Sequence, residues 1–167
     1  MVLICYDGSP DARAAIEHAG DLLAGQAAVV LTVWEPFVEV LARAPTGFGL
    51  SAGMVDVDEI DTGARQAAEQ RAEEGAELAR GAGLDAKALT CLQETTIASA
   101  ILAAADEVGA KAIVIGSRGL TGVKSLLLGS VSHAVIQHAD RAVIVVPSPR
   151  VAAARERHMH IDHHKAS

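Results

Sequence analysis

The chain has 167 residues, half of them apolar and 21% charged, with a formal net charge of -7 at neutral pH. That length makes one domain with a real core, and no apolar run reaches the span of a membrane helix. The negative balance argues against nonspecific nucleic-acid binding, which runs on phosphate neutralisation by Lys and Arg. No basic n-region or cleavage site precedes Val2-Leu3-Ile4, so the cytoplasm is the expected compartment.

Val2–Tyr6 reads as a short buried strand. Asp7-Gly8-Ser9-Pro10 then supplies a turn, an N-cap at Ser9 and a proline at the first helical position. The helix that follows carries Ile16, Ala19, Leu22 and Leu23 on one side and ends near Gly25. Ala28–Trp34 is a second strand, closed by Pro36. Residues 35 to about 57 hold Pro36, Pro45, Gly47, Gly49 and Gly53 and show no period. A structureless connection of that length suits a lid, a partner loop or a tolerated insertion. From Asp58 to Arg80 the pattern is helical, closed by Gly81 and Gly83. Lys87–Leu92 is a third strand. Thr95 or Thr96 caps a helix with Ile97, Ile101, Ala104 and Val108 at helical spacing, stopped by Gly109.

A fourth strand, Lys111–Ile115, runs directly into Gly116-Ser117-Arg118-Gly119, followed after nine residues by Gly129-Ser130. Glycines let backbone approach an anion, and the free N–H groups at a helix start point at it. The Ser130 hydroxyl suits both capping that helix and donating to a phosphate oxygen. At average glycine usage such a pattern occurs in about one window in 20,000, too rarely for chance in a chain this short. Gly119-Leu120-Thr121-Gly122-Val123-Lys124-Ser125 is not a Walker A loop, because Val123 separates Gly122 from Lys124. Nor do glycines 116, 119 and 122 have the spacing of a dinucleotide fingerprint. Arg118 and Lys124 are candidate phosphate cations as well as ordinary solvated ones, and Leu126-Leu127-Leu128 reads as core beneath the loop. Ser130–Ala139 is a helix, and Ala142–Val146 a fifth strand stopped by Pro147.

Strands alternating with helices predict an α/β fold: a doubly wound five-stranded parallel sheet, order 3-2-1-4-5, with helices on both faces. Such a sheet binds ligands at the carboxyl ends of strands one and four, where the order reverses. The loops Tyr6–Ser9 and Gly116–Ser130 leave from those two ends. Cys5 and Cys91 lie two strand spacings apart, beyond the roughly 7 Å reach of a disulfide, and are expected to be buried free thiols. His18, His133 and His138 lack partner spacing. The 148–167 tail, with His158, His160, His163 and His164, reads as disordered, and ordering entropy weighs against metal binding there. The fifth strand is an apolar edge without charge or proline, which predicts a two-fold homodimer through Ala142–Val146.

These residues resemble the universal stress proteins, in the subgroup that binds ATP. The family pattern of Gly, two residues, Gly, nine residues and Gly-Ser/Thr stands here as Gly116, Gly119, Gly129 and Ser130. The resemblance runs from Ile4-Cys5-Tyr6-Asp7-Gly8-Ser9 through Leu31-Thr32-Val33 to Ala142–Pro147, nearly all of residues 1–147. It implies Tyr6 and Asp7 beside the nucleotide and Val33 meeting the adenine through its backbone. Ile115, Gly116, Arg118, Gly119, Gly129, Ser130 and Val131 would form the ribose and phosphate cradle. Asp7 also fits a turn cap; a Mg2+ carried in on the phosphates would meet this carboxylate. The chain departs from the pattern at Glu94-Thr95-Thr96, where family members often have a Gly-Asp/Asn-Pro turn, and after Pro149.

The implied function is a regulatory nucleotide-binding module of the stress response, working as a homodimer. Related adenine-nucleotide hydrolases carry a Ser-Gly-Gly-x-Asp-Ser-type loop after strand one, where this chain has Asp7-Gly8-Ser9-Pro10. His133 is the only histidine near the glycine loop and lacks a partner, so an enzyme is not expected. A scaffold that binds no nucleotide would not need the glycines. A different adenine nucleotide such as cAMP, or slow ATP hydrolysis, remains open at this level.

Overall fold

Strands and helices alternate along the computed structural model, which describes residues 1–42, 56–119, 128–147 and 152–153. In chain order they are β1 (Val2–Cys5), α1 (Pro10–Leu23), β2 (Ala27–Trp34), α2 (Phe37–Ala42) and α3 (Val57–Gly81). Then follow β3 (Asp85–Leu92), α4 (Ile97–Glu107), β4 (Ala112–Gly116), α5 (Ser130–His138) and β5 (Ala142–Val146). The five strands pair in parallel in the order β3-β2-β1-β4-β5, as the alternation predicts. α1 and α3 cover one face and α4 and α5 the other, each over its own apolar cluster.

Local chemistry starts α1, α3 and α4. Ser9 Oγ accepts from the Ala12 N–H and Pro10 opens α1, the N-cap and N1 pairing expected of those residue types. Asp56 caps α3. Thr96 and Ser99 cap α4 reciprocally: Thr96 Oγ1 accepts from the Ser99 N–H at 3.0 Å, and Ser99 Oγ from the Thr96 N–H at 3.1 Å. This box does the work at the segment that departs from the family turn.

α3 buries a stripe of small residues, Ala68, Ala72, Gly75, Ala76 and Ala79. A Cβ at Gly75 would stand 2.7 Å from the Tyr6 ring and 2.8 Å from Val30; glycine lets the helix backbone lie directly on the sheet. Burial on α3 begins only at Ala68. The helix spans about 38 Å, against about 26 Å for an eight-residue strand. As the crossover between two parallel strands, it starts at their carboxyl ends and overhangs that edge.

The structure departs from the sequence expectations in several places. The segment after Pro36 contains α2, whose Phe37 N–H donates to Asp61 Oδ1 of α3 at 2.7 Å. β3 starts at Asp85 because β2 pairs with it throughout, from Ala27↔Asp85 to Trp34↔Leu92. Cys5 and Cys91 are free and separated by β2, but half-buried rather than buried. Expectations for residues 43–55, for Lys124, Leu126 and Leu127, and for tail residues 148–151 and 154–167 concern positions outside the described residues. Among the described residues, no helix is long and apolar enough to cross a membrane.

Candidate functional site

A cavity of about 180 Å3 opens where the strand order reverses. Unequal strand lengths create it. β1 makes its last pair at Cys5↔Leu31, with the Tyr6 N–H donating to the Leu31 carbonyl at 2.8 Å. β2 continues to Trp34, so Val33 lies beyond the last pair. All ten residues singled out from the sequence line this cavity: Tyr6, Asp7, Val33, Ile115, Gly116, Arg118, Gly119, Gly129, Ser130 and Val131. Leu31, Ile97 and Ile101 add an apolar wall, and Cys5 stands among them.

The ten residues serve the cavity in different ways. Tyr6 offers backbone, since its ring lies in the cluster under α1 and α3. Its hydroxyl donates to Glu74 Oε1 at 2.9 Å, Arg13 stands 6.0 Å from the ring centroid, and Arg13 pairs with the same carboxylate. Burial, with that hydrogen bond, pushes the phenol up to about 12. Val33 is half-buried against the opposite cluster. Asp7 caps the turn, as foreseen, and also lines the cavity. Oδ1 accepts from the Ser9 N–H at 2.9 Å, and Oδ2 lies 2.9 Å from where a Cβ on Gly119 would stand.

The three motif glycines are not equivalent, and none has a positive φ. A Cβ at Gly116 would meet the Asp11 carbonyl carbon at 2.7 Å and the Ala12 nitrogen at 2.9 Å. Gly116 therefore admits the first turn of α1, and its demand for glycine comes from packing rather than from an anion. Gly119 is exposed and faces Asp7. Gly129 is the N-cap of α5, which makes Ser130 the first helical residue rather than the cap. The reason is the bend at Ser117, whose carbonyl accepts from the Gly129 N–H at 2.7 Å and from Ser132 Oγ at 3.0 Å. Ser130 is left exposed at the rim. The first-turn N–H groups of Ser130 and Val131 have no helical carbonyl behind them and bring the positive end of α5 to the cavity.

Sequence reasoning missed the joint that holds these parts. Ser117 is fully buried; its Oγ donates to Asp11 Oδ2 at 2.7 Å and its N–H to the Val146 carbonyl at 2.7 Å. One serine thus ties β4, β5, α1 and α5. No spacing rule reaches across the 106 positions between Asp11 and Ser117.

Arg118 carries the most informative unsatisfied group. Its Nε is buried and, among the described residues, has no hydrogen-bond partner. A buried guanidinium nitrogen without an acceptor is costly, and at a cavity wall it is suited to an anion. Burial raises the Cys5 thiol above its ordinary range, so it stands as a neutral thiol rather than a nucleophile. His133 is exposed. Among the described residues no group of three or more His, Cys, Asp or Glu side chains is placed to hold a metal. The cavity thus combines an apolar wall of Leu31, Ile97 and Ile101 with the Arg118 guanidinium and the first-turn amides of α5.

Comparison with known proteins agrees with this geometry. The universal stress protein family model matches residues 1–147. Universal stress protein YxiE of Bacillus subtilis (strain 168) is 37% identical over 90 residues, which is 54% of this chain and 60% of that protein. A solved universal stress protein in complex with cAMP matches with a TM-score of 0.58 at 23% identity, over 88% of this chain and 95% of that one. Another, from Archaeoglobus fulgidus in complex with dAMP, gives a TM-score of 0.55 at 22% identity, over 87% and 95%. At those identities the solved structures speak to the fold.

Proposed function

This chain belongs to the universal stress protein family, and from that premise we propose that it binds ATP as a non-enzymatic stress-response module. The observation that carries the proposal is the unsatisfied Arg118 Nε, set beside the first-turn amides of Ser130 and Val131 at the same cavity. The apolar wall of Leu31, Ile97 and Ile101 suits an adenine. Adenine nucleotides in two solved structures of the same fold support that choice. The cavity's 180 Å3 is below the roughly 300–1,000 Å3 of most ligand pockets. It suits an enclosed base and ribose with phosphates at the rim, where Gly119 and Ser130 are exposed. Mg2+ would arrive on those phosphates with Asp7 as its neighbouring carboxylate. Two free thiols suit the reducing cytoplasm, and the net charge of -7 speaks against a nucleic-acid partner.

cAMP is the second reading, favoured by the cAMP complex. Calorimetry with ATP, AMP and cAMP tests both. ATP is expected to bind tightest, with turnover far below the ~10 s⁻¹ median of enzymes, because among the described residues lining the cavity there is no histidine and the one carboxylate, Asp7, is engaged by the Ser9 N–H. Tighter binding of cAMP would select the alternative, and no binding of any of the three would overturn the site.

The homodimer is proposed on β5. Its sequence, Ala142-Val143-Ile144-Val145-Val146, is apolar throughout, and it lies at the sheet edge with Val143, Ile144 and Val145 half-buried. An edge of this kind leaves N–H and C=O groups for a second copy. Light scattering is expected to give a dimer at micromolar concentration and a folded monomer for Val145→Lys. A monomeric wild type removes the dimer, and a dimeric Val145→Lys moves the interface elsewhere.

A further inference from the structure

Among the described residues, the arginines divide into two groups. Arg13 pairs with Glu74, Arg65 with Glu69, Arg80 with Glu73, and Arg141 with both Asp106 and Asp140. Arg71 and Arg118 have no carboxylate partner among the described residues. Arg118 lines the cavity. Arg71 belongs to α3, a helix rich in glutamates, yet its side chain leaves that acidic surface for the turn after β1. A Cβ at Gly8 would lie 3.6 Å from Arg71 Nε and 3.7 Å from its Cδ.

Gly8 adopts φ +81 and has no side chain of its own, so bare backbone underlies the guanidinium. The residue before it, Asp7, faces Gly119 of the other loop. Arg118 lines the cavity itself, whereas Arg71 lies outside the lining, over Gly8, the neighbour of the lining residue Asp7. Arg71 lies three positions after Ala68, where burial on α3 begins, and beside Gly8 in the turn that follows β1. In a chain with seven more acidic than basic side chains, two half-buried arginines left unpaired at one edge are chemically conspicuous.

We propose that Arg71 is the second cation of this site and reads the terminal phosphates of the nucleotide, so that a polyphosphate is preferred to a monophosphate. The inference rests on the adenine-nucleotide reading of the cavity. Arg118 meets the phosphate nearest the ribose. A chain of further phosphates leaves between Asp7-Gly8 and Gly119 and comes under the Arg71 fork, which matches a phosphate's paired oxygens. Without Arg71 the charged side chain that the described residues place at that end is Asp7, a like charge.

The test is calorimetry of ATP and AMP binding to the full chain without divalent metal, for wild type, Arg71→Gln and Arg71→Lys. The ratio of ATP to AMP affinity is expected to fall at least tenfold in Arg71→Gln, about 1.4 kcal/mol. Arg71→Lys is expected to fall between Arg71→Gln and wild type. It also serves as the folded variant should Arg71→Gln lose structure. An unchanged ratio in variants that still bind both nucleotides overturns the role of Arg71 and leaves the nucleotide site standing. Equal loss of ATP and AMP also overturns it, because Arg71 would then act on the whole cavity. A wild type that binds neither nucleotide overturns the underlying reading, and this proposal with it.

Discussion

Replacing Gly116 with alanine is expected to destabilise the fold by about 3 kcal/mol, although this glycine stands first in a phosphate-loop pattern. The new methyl would meet the Asp11 carbonyl carbon at 2.7 Å and the Ala12 nitrogen at 2.9 Å. Both are backbone atoms in the first turn of α1, held by the Ser9 cap and by the bond from Ser117 Oγ to Asp11. A flexible side chain would swing aside; a capped helix start must move as a body. Moving it also stretches the Ser117 joint, and leaving a buried carboxylate without its donor adds to the cost. Urea denaturation reads the result as a midpoint shift at constant slope. A loss under about 0.5 kcal/mol, the range of ordinary surface substitutions, would show that α1 does not press on Gly116.

Gly119→Val is expected to do the opposite, weakening ATP binding at least tenfold, about 1.4 kcal/mol, while the domain stays folded. Gly119 is exposed, and among the described residues the atom near its missing Cβ is Asp7 Oδ2 at 2.9 Å. That carboxylate can rotate, at the expense of its bond to the Ser9 N–H. The fold gives up little, but two methyls then occupy the ground between Asp7 and the Arg118 side of the cavity. Calorimetry beside a thermal melt separates the two effects. Unchanged affinity in a folded variant would sink the assignment of the site to this loop. Taken together, the two substitutions ask whether one motif hides two jobs.

Much of the architecture is legible without coordinates. Ser9-Pro10 marks the start of α1, Gly109 the stop of α4, and Ile113-Val114-Ile115 a strand buried on both faces. Each of these signals is local, spanning a few residues and set by dihedral preference, capping or side-chain period. Alternating strands and helices then leave few topologies, because crossovers are right-handed. The place of the cavity follows from that topology, and the ten residues that the family resemblance implies, from three separate segments, all line it.

What the sequence determined by itself was the order of elements, the sheet they make and the edge at which a ligand would sit. Tertiary structure alone decided what each site residue does there. It turned the Tyr6 ring away from the cavity, and it made Gly116 a packing contact and Gly119 an opening. It moved the cap of α5 from Ser130 to Gly129, made Ser117 the joint of four elements and brought Arg71 over Gly8. The physical reason is one of range. Hydrogen-bond periods and caps are written within a turn or a strand, whereas these roles depend on atoms within 4 Å that come from elements up to 106 positions apart. Only the packed chain brings such atoms together.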